Sequence, residues 1–165
     1  MSDNVRPLRR PPIRQSTLVR SGLEHTFEVF VRDIGVWWPT RPHSLGQERV
    51  VSVTIERKLG GQVFETWADG SRVGWGEVIA WDPPERFGMT WTILPVVTEV
   101  ELTFTALAPA LTRVALEHRG WDRLTEEQMA AATSSAGGYS AGWKRILEIF
   151  TEAAETEAER PEGVL

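Results

Sequence analysis

Few side chains in this sequence can do chemistry, and their spacing narrows the choice. There are three histidines (His25, His43, His118) and no cysteine. Without thiols there are no disulfides, no thiol catalysis, no thiolate-bound zinc and no iron–sulfur clusters. The scattered histidines have no Asp/Glu cluster at ligand spacing around them, so no metal site and no cofactor are expected. Two glutamates stand in strand-like segments beside tryptophans, Glu65 near Trp67 and Glu77 near Trp75. A pair of carboxylates on one face would suit glycosidase-type acid–base work. However, a two-residue turn at Asp69-Gly70 pairs Gln62 with Glu77 and Phe64 with Trp75, leaving Glu65 on the opposite face with Val63 and Trp67. The two do not form a dyad. Each is expected to face solvent, unless one turns inward, where desolvation would suit proton transfer or a ligand hydrogen bond.

His118 shares a strand face with Val114 and Leu116, so it is expected to be partly buried, as a hydrogen-bonded core residue or as a ligand contact. His25 lies beside Glu24 with no second histidine four residues on, and His43 falls in a loop. Ser44 and Ser140 have no strand-to-helix elbow around them. Gly74-Trp75-Gly76 is part of a dinucleotide fingerprint but sits inside a strand and opens no helix. No catalytic constellation survives.

What remains is aromatic. The chain has 8 Trp, 6 Phe and 1 Tyr. A tryptophan buries about 150–250 Å² and its N–H wants an acceptor. Eight are hard to close-pack in a small domain, so they predict either a hollow lined by rings or an unusually ring-rich core. The whole chain is 165 residues with 18 basic and 23 acidic side chains, a net charge of −5. One domain fits that length. The acidic balance argues against a nucleic-acid partner. No apolar run approaches the roughly 18 residues of a membrane span and no signal peptide is legible, so a cytoplasmic location is expected.

The elements that must carry these residues are legible as periodicities. Residues 1–12 hold three arginines (Arg6, Arg9 and Arg10) that fit no apolar pattern, with Arg14 close by, and read as a flexible arm. Residues 157–165 read as an acidic tail, and residues 13–156 as the domain. A strand over Gln15 to Arg20 leads to Ser21, which with Glu24 has capping-box spacing. Leu23, Phe27, Phe30, Val31 and Ile34 then form one helical face, ending at Gly35 before Trp37-Trp38-Pro39. Alternation at Val51/Val53/Ile55, Gln62–Ala68, Arg72–Trp81, Phe87–Ile93, Val100–Ala106 and Leu111–Arg119 predicts successive antiparallel strands. Turns fall at Gly60-Gly61, Asp69-Gly70, Asp82-Pro83-Pro84 and Pro109-Ala110. Thr125 and Gln128 form a second capping box. After Gly137-Gly138, Tyr139, Trp143, Ile146, Leu147 and Phe150 line one face of a terminal helix that must pack on the sheet.

That order resembles the helix-grip fold of the START-like, birch-pollen-allergen (SRPBCC) superfamily, in the branch named after the activator of heat-shock-protein-90 ATPase. The residues that carry it are Trp37-Trp38-Pro39, His43-Ser44, Ile55-Glu56, Gly60-Gly61 and Phe64-Glu65, followed by Asp69-Gly70 and Trp75-Gly76-Glu77-Val78. Trp81-Asp82-Pro83-Pro84-Glu85-Arg86, Trp91, Glu117-His118-Arg119-Gly120-Trp121 and Gly142-Trp143 complete it. The resemblance implies an α+β fold, a curved antiparallel sheet of six to seven strands around a long C-terminal helix, with short helices after the first strand. It also implies a cavity between sheet and helix that takes apolar small molecules, and it favours Glu65 as an inward carboxylate.

The resulting expectation is a binding protein for an apolar or amphipathic small molecule, with Trp38, Glu65, Trp91, His118, Tyr139 and Trp143 lining the cavity. Glu65 and His118 would orient the ligand's polar end. The alternatives are a cyclase- or dehydratase-type enzyme using Glu65 or His118 as base, and a co-chaperone-like interaction module. A homodimer and a chaperone partner stay open.

Overall fold

The computed structural model describes residues 10–39, 46–133 and 138–159. Seven strands form one sheet: β1 (Ile13–Val19), β2 (Val50–Ile55), β3 (Gln62–Trp67), β4 (Arg72–Asp82), β5 (Arg86–Trp91), β6 (Thr98–Ala108) and β7 (Leu111–Arg119). Their order across the sheet is β1-β7-β6-β5-β4-β3-β2, and every neighbour is antiparallel. Between β1 and β2 lie helices α1 (Leu23–Val31) and α2 (Ile34–Trp37); after β7 come α3 (Glu126–Thr133) and the long α4 (Gly138–Glu159). This is the α+β helix-grip architecture: a curled sheet with its terminal helix against the inner face.

Period-two alternation decides which side chains face α4. Val78, Met89, Val100 and His118 face one another in register across β4 to β7, and Trp81, Phe87, Leu102 and Leu116 form the next inward row. The helix answers with Trp143, Ile146, Leu147, Phe150 and Ala154, all buried at three- and four-residue spacing. Each of the larger side chains contributes about 1.5–3 kcal/mol by leaving water. Lys144, Arg145, Glu148 and Glu152 stay exposed on the far side of the helix. On the outer sheet face the residues between the inward ones pair by charge, Arg86 with Glu101 and Arg119 with Glu101 and Glu117, and Arg123 from the turn after β7 pairs with Glu99. Exposed pairs of this kind contribute about 0–1 kcal/mol each.

Several local expectations change. Ser21 does not cap α1: Gly22 is the N-cap, no side chain caps it, and the Ser21 hydroxyl is buried without a partner. The Ser21 N–H closes a tight turn onto Val19 O at 2.9 Å, which holds the residue outside the helix. The helix breaks at Arg32–Asp33, and Gly35 lies inside α2 instead of ending α1. Val51 is 65% exposed, because an irregularity between Val50 and Ser52 puts it out of phase with Val53 and Ile55. The second capping box is made: Thr125 N donates to Gln128 Oε1 at 2.9 Å and Gln128 N to Thr125 Oγ1 at 3.1 Å. Arg10, expected in the arm, donates to the carbonyls of Trp121 and Leu124 at 2.6 and 2.8 Å. The Trp121 carbonyl already accepts Leu124 N at 3.1 Å and has a second lone pair for the guanidinium, and the Leu124 carbonyl lies just past the 3-10 turn Trp121–Arg123. The helix α4 also continues to Glu159, into the segment expected as acidic tail. His43 and Ser44 lie outside the described residues.

Candidate functional site

The bulge in β4 makes the site. Gln62 faces Glu77 and Val63 faces Gly76, as a regular hairpin requires, but Phe64 then faces Gly74 and not Trp75. Trp75 is the extra residue, and the bulge turns its ring to the inner face, where alternation would not put it. A side chain at position 76 has no room: its Cβ would lie 1.8 Å from Thr90 O. The glycine-flanked tryptophan inside a strand was the readable signal for this bulge. Trp75 is therefore a site residue that alternation alone misses.

On that inner face Glu65 is buried, with 0% exposure, while Glu77 is exposed. The strand pattern alone expects Glu65 to face solvent, whereas the family resemblance favours it inward, and it is inward. Its Oε1 accepts Trp75 Nε1 at 2.7 Å, and its Oε2 accepts Trp67 Nε1 and Gly46 N, each at 2.7 Å. Charge-assisted bonds of this length compensate an ionised carboxylate for the loss of water. Gly46 can be so close only because it has no side chain; a Cβ there would sit 2.5 Å from Trp67 Nε1. Arg49 covers the other side of Trp67, its guanidinium carbon 4.4 Å from the ring centre.

His118 does the same for a second group of rings. An indole nitrogen can only donate, so the Trp143 Nε1–His118 Nδ1 contact at 3.0 Å makes Nδ1 the acceptor. The proton then sits on Nε2 and goes to Thr98 Oγ1 at 2.8 Å, and the Thr98 hydroxyl turns to Trp91 O at 3.4 Å. Burial holds His118 neutral, its pKa lowered to about 3. Trp121 donates to His118 O at 2.7 Å, and Trp91 Nε1 to the Tyr139 hydroxyl at 3.3 Å. Burial also raises the Tyr139 pKa, partly offset by that Trp91 bond.

The rings meet around α4. Trp38 lies 4.8 Å from Trp75 and 6.2 Å from Trp143 by ring centres, Trp75 lies 5.9 Å from Trp91, and Trp91 lies 5.2 Å from Trp143. Tyr139 is 5.5 Å from His118 and 6.3 Å from Trp91. Five of the six expected site residues (Trp38, Trp91, His118, Tyr139 and Trp143) thus form one aromatic cluster. Glu65 reaches it through Trp75 and does not touch the others directly in the contacts seen.

The hollow expected between sheet and helix is small where described residues bound it. Trp38, Trp75, Trp91 and Trp143, with Phe30 and Phe87, help to wall an apolar gap of about 10 Å³. That is the space of roughly one water. The tilted and edge-on rings interlock and fill the volume that smaller side chains would have left open. A larger depression of about 400 Å³ lies on the outer sheet face near Arg14, Glu101, Thr103, Arg113 and Ala115. It is open and polar, and Arg14 is paired there with Glu117.

Chemically, the inner cluster offers apolar contact area and fixed indoles. Both oxygens of Glu65 and both ring nitrogens of His118 are engaged, so a reacting proton would have to displace an indole or the Thr98 hydroxyl first. Among the described residues no group of three or more His, Asp or Glu could hold a metal ion. No described helix is long and apolar enough to cross a membrane.

Comparison with known proteins follows the same lines. The chain is similar to the self-sacrificing resistance protein CalC from Micromonospora echinospora, at 25% identity and TM-score 0.68, over 92% of this chain and 98% of that one. It is also similar to the anthrahydroquino-gamma-pyrone synthase Txn09, at 28% identity and TM-score 0.55, over 87% and 96% of the two chains. The protein MLL2253 from Mesorhizobium loti shares the fold at 16% identity and TM-score 0.60, over 90% and 99%. A search of curated proteins found no match. The Activator of Hsp90 ATPase homolog 1-like family matches residues 32–155, and the chain belongs to that family.

Proposed function

We propose that this protein binds a small apolar or amphipathic molecule between the sheet and α4, against Trp38, Trp91, Tyr139 and Trp143. The observation that carries the reading is the convergence of four indoles, from the end of α2 and from β4, β5 and α4, on one apolar gap. Glu65 and His118 act here as supports that hold Trp75 and Trp143 in place, and not as the ligand's own polar anchors. Because the gap is small, binding requires the rings to part. The test is a tryptophan fluorescence titration with flat aromatic and lipid-like probes, alongside mass spectrometry of material that co-purifies with the native protein. Saturable quenching by a probe is the expected result; no binder and no co-purified mass would overturn the proposal.

A second reading is favoured by the 28% identity to a synthase. In it the same pocket runs a cyclisation or dehydration with Glu65 or His118 as base. Glu65→Gln and His118→Ala would then abolish turnover and leave probe binding mostly intact, whereas unchanged turnover would exclude both roles.

A further inference from the structure

Trp38 breaks the rule that the other buried indoles obey. Trp37 donates to Val29 O at 2.9 Å, and Trp75, Trp91, Trp121 and Trp143 donate to Glu65, Tyr139, His118 O and His118 Nδ1. Trp38 is 6% exposed, yet its Nε1 is sealed from water and has no acceptor among the described residues. A donor left so is costly, and buried polar groups in folded proteins are nearly always paired. Water does not resolve it. The gap beside Trp38 is apolar and holds about 10 Å³, and a buried water needs two to four polar partners as well as room.

We infer that the Trp38 indole N–H is the hydrogen-bond donor for the bound molecule, and that the molecule is uncharged, flat, and carries a carbonyl or ether oxygen. This rests on the binding reading above and adds its polar recognition point. The ligand wedges beside Trp38, between it and the Trp75–Trp143 pair, and supplies the acceptor that the closed protein lacks. Flatness follows from the walls, which are ring faces and edges. Neutrality follows from the lining of the gap, whose described residues are all apolar and would leave a buried charge without compensation. Glu65 cannot take this role, because its oxygens accept, and the His118 Nε2–H could take it only by releasing the Thr98 hydroxyl.

The test uses 9-fluorenone and fluorene, a carbonyl and a methylene of the same shape, with fluorenone-4-carboxylate as the charged form. Wild type and Trp38→Phe are titrated by fluorescence, and the indole N–H signals are followed by ¹H–¹⁵N NMR. Wild type is expected to bind fluorenone about five- to tenfold tighter than fluorene, the worth of one neutral hydrogen bond. The carboxylate should bind far more weakly. The carbonyl preference should vanish in Trp38→Phe while fluorene affinity holds, and the Trp38 N–H signal should move downfield with fluorenone only. Equal affinity for fluorenone and fluorene in wild type, or a preference kept in Trp38→Phe, overturns the donor assignment and leaves the binding reading standing. Failure of all three probes in wild type counts against the binding reading itself. Far-UV circular dichroism and the unfolding midpoint of Trp38→Phe establish that the variant is folded. Should it not fold, the wild-type comparison and the NMR shift still decide the matter.

Discussion

The two ends of the core are both aromatic and differ in how many N–H groups they must satisfy. Toward one end Phe27 lies 5.0 Å from Phe104, and Phe30 lies 5.2 Å from Phe150 by ring centres, edge to face. Phenylalanine brings area and no polar obligation, so this end closes mostly on dispersion and burial, and the buried Trp37 indole within it is satisfied locally by Val29 O. At the other end Trp38, Trp75, Trp91, Trp121 and Trp143 bring a donor each, and the protein must supply acceptors deep inside. It does so with a carboxylate, an imidazole, a phenol and a main-chain carbonyl. One donor is left over. The lesson is that tryptophan in a core fixes polar groups around itself, and that an unmatched indole marks where the interior is prepared to meet something else.

The sharpest way to separate the two ends is pH. The folded pKa of His118, about 3, is below its ordinary 6.5, so the unfolded chain takes up the proton first. Its contribution is complete above pH 6.5 and is lost as pH falls toward 3, by up to roughly 5 kcal/mol at about 1.4 kcal/mol per unit. Urea unfolding of wild type across that window should show the loss. His118→Gln keeps an acceptor for Trp143 and should flatten it, whereas Phe150→Leu should leave the slope unchanged. The same slope in His118→Gln would refute the assignment.

Removing a ring from the Phe end should be costly but simple: Phe150→Ala is expected to lose about 3–5 kcal/mol by cavity formation. Glu65→Gln, which removes no volume, should still lose about 2–3 kcal/mol, because an amide NH₂ then meets the indole donors. Near-UV circular dichroism should report altered tryptophan signals for Glu65→Gln and retained ones for Phe150→Leu. A Glu65→Gln protein as stable as wild type would show that the carboxylate is not what orders that end. The smallest effect belongs to Tyr139→Phe, about 1 kcal/mol, since only the 3.3 Å bond from Trp91 is lost and the site is half-buried.

Much of the fold was legible because its signals are local. Alternation at Val100, Leu102 and Phe104 against Glu99, Glu101 and Thr103 specifies an inward and an outward face without knowledge of the partner strand. Asp69-Gly70 and Asp82-Pro83-Pro84 end strands by their own backbone preferences. Thr125 and Gln128 close their cap within four residues. The spacing of Trp143, Ile146, Leu147 and Phe150 defines the helix face for the same reason. Ser21, with identical capping-box spacing, failed because a turn onto Val19, one element away, claimed its backbone.

The chain's own chemistry thus determined the strands, the turns, the terminal helix and the supply of indoles, all of which depend on neighbours within a few residues. Only the tertiary structure decided which indole meets which acceptor. Trp75 faces inward because Gly76 packs against Thr90 of another strand, and Glu65 is buried because rings from β3 and β4 close over it. Trp38 goes unpaired because the walls around it, drawn from the helices and the sheet, are apolar. Hydrogen bonding is directional and exacting over tenths of an ångström, so pairing between distant segments is set by the packed backbone and not by residue type.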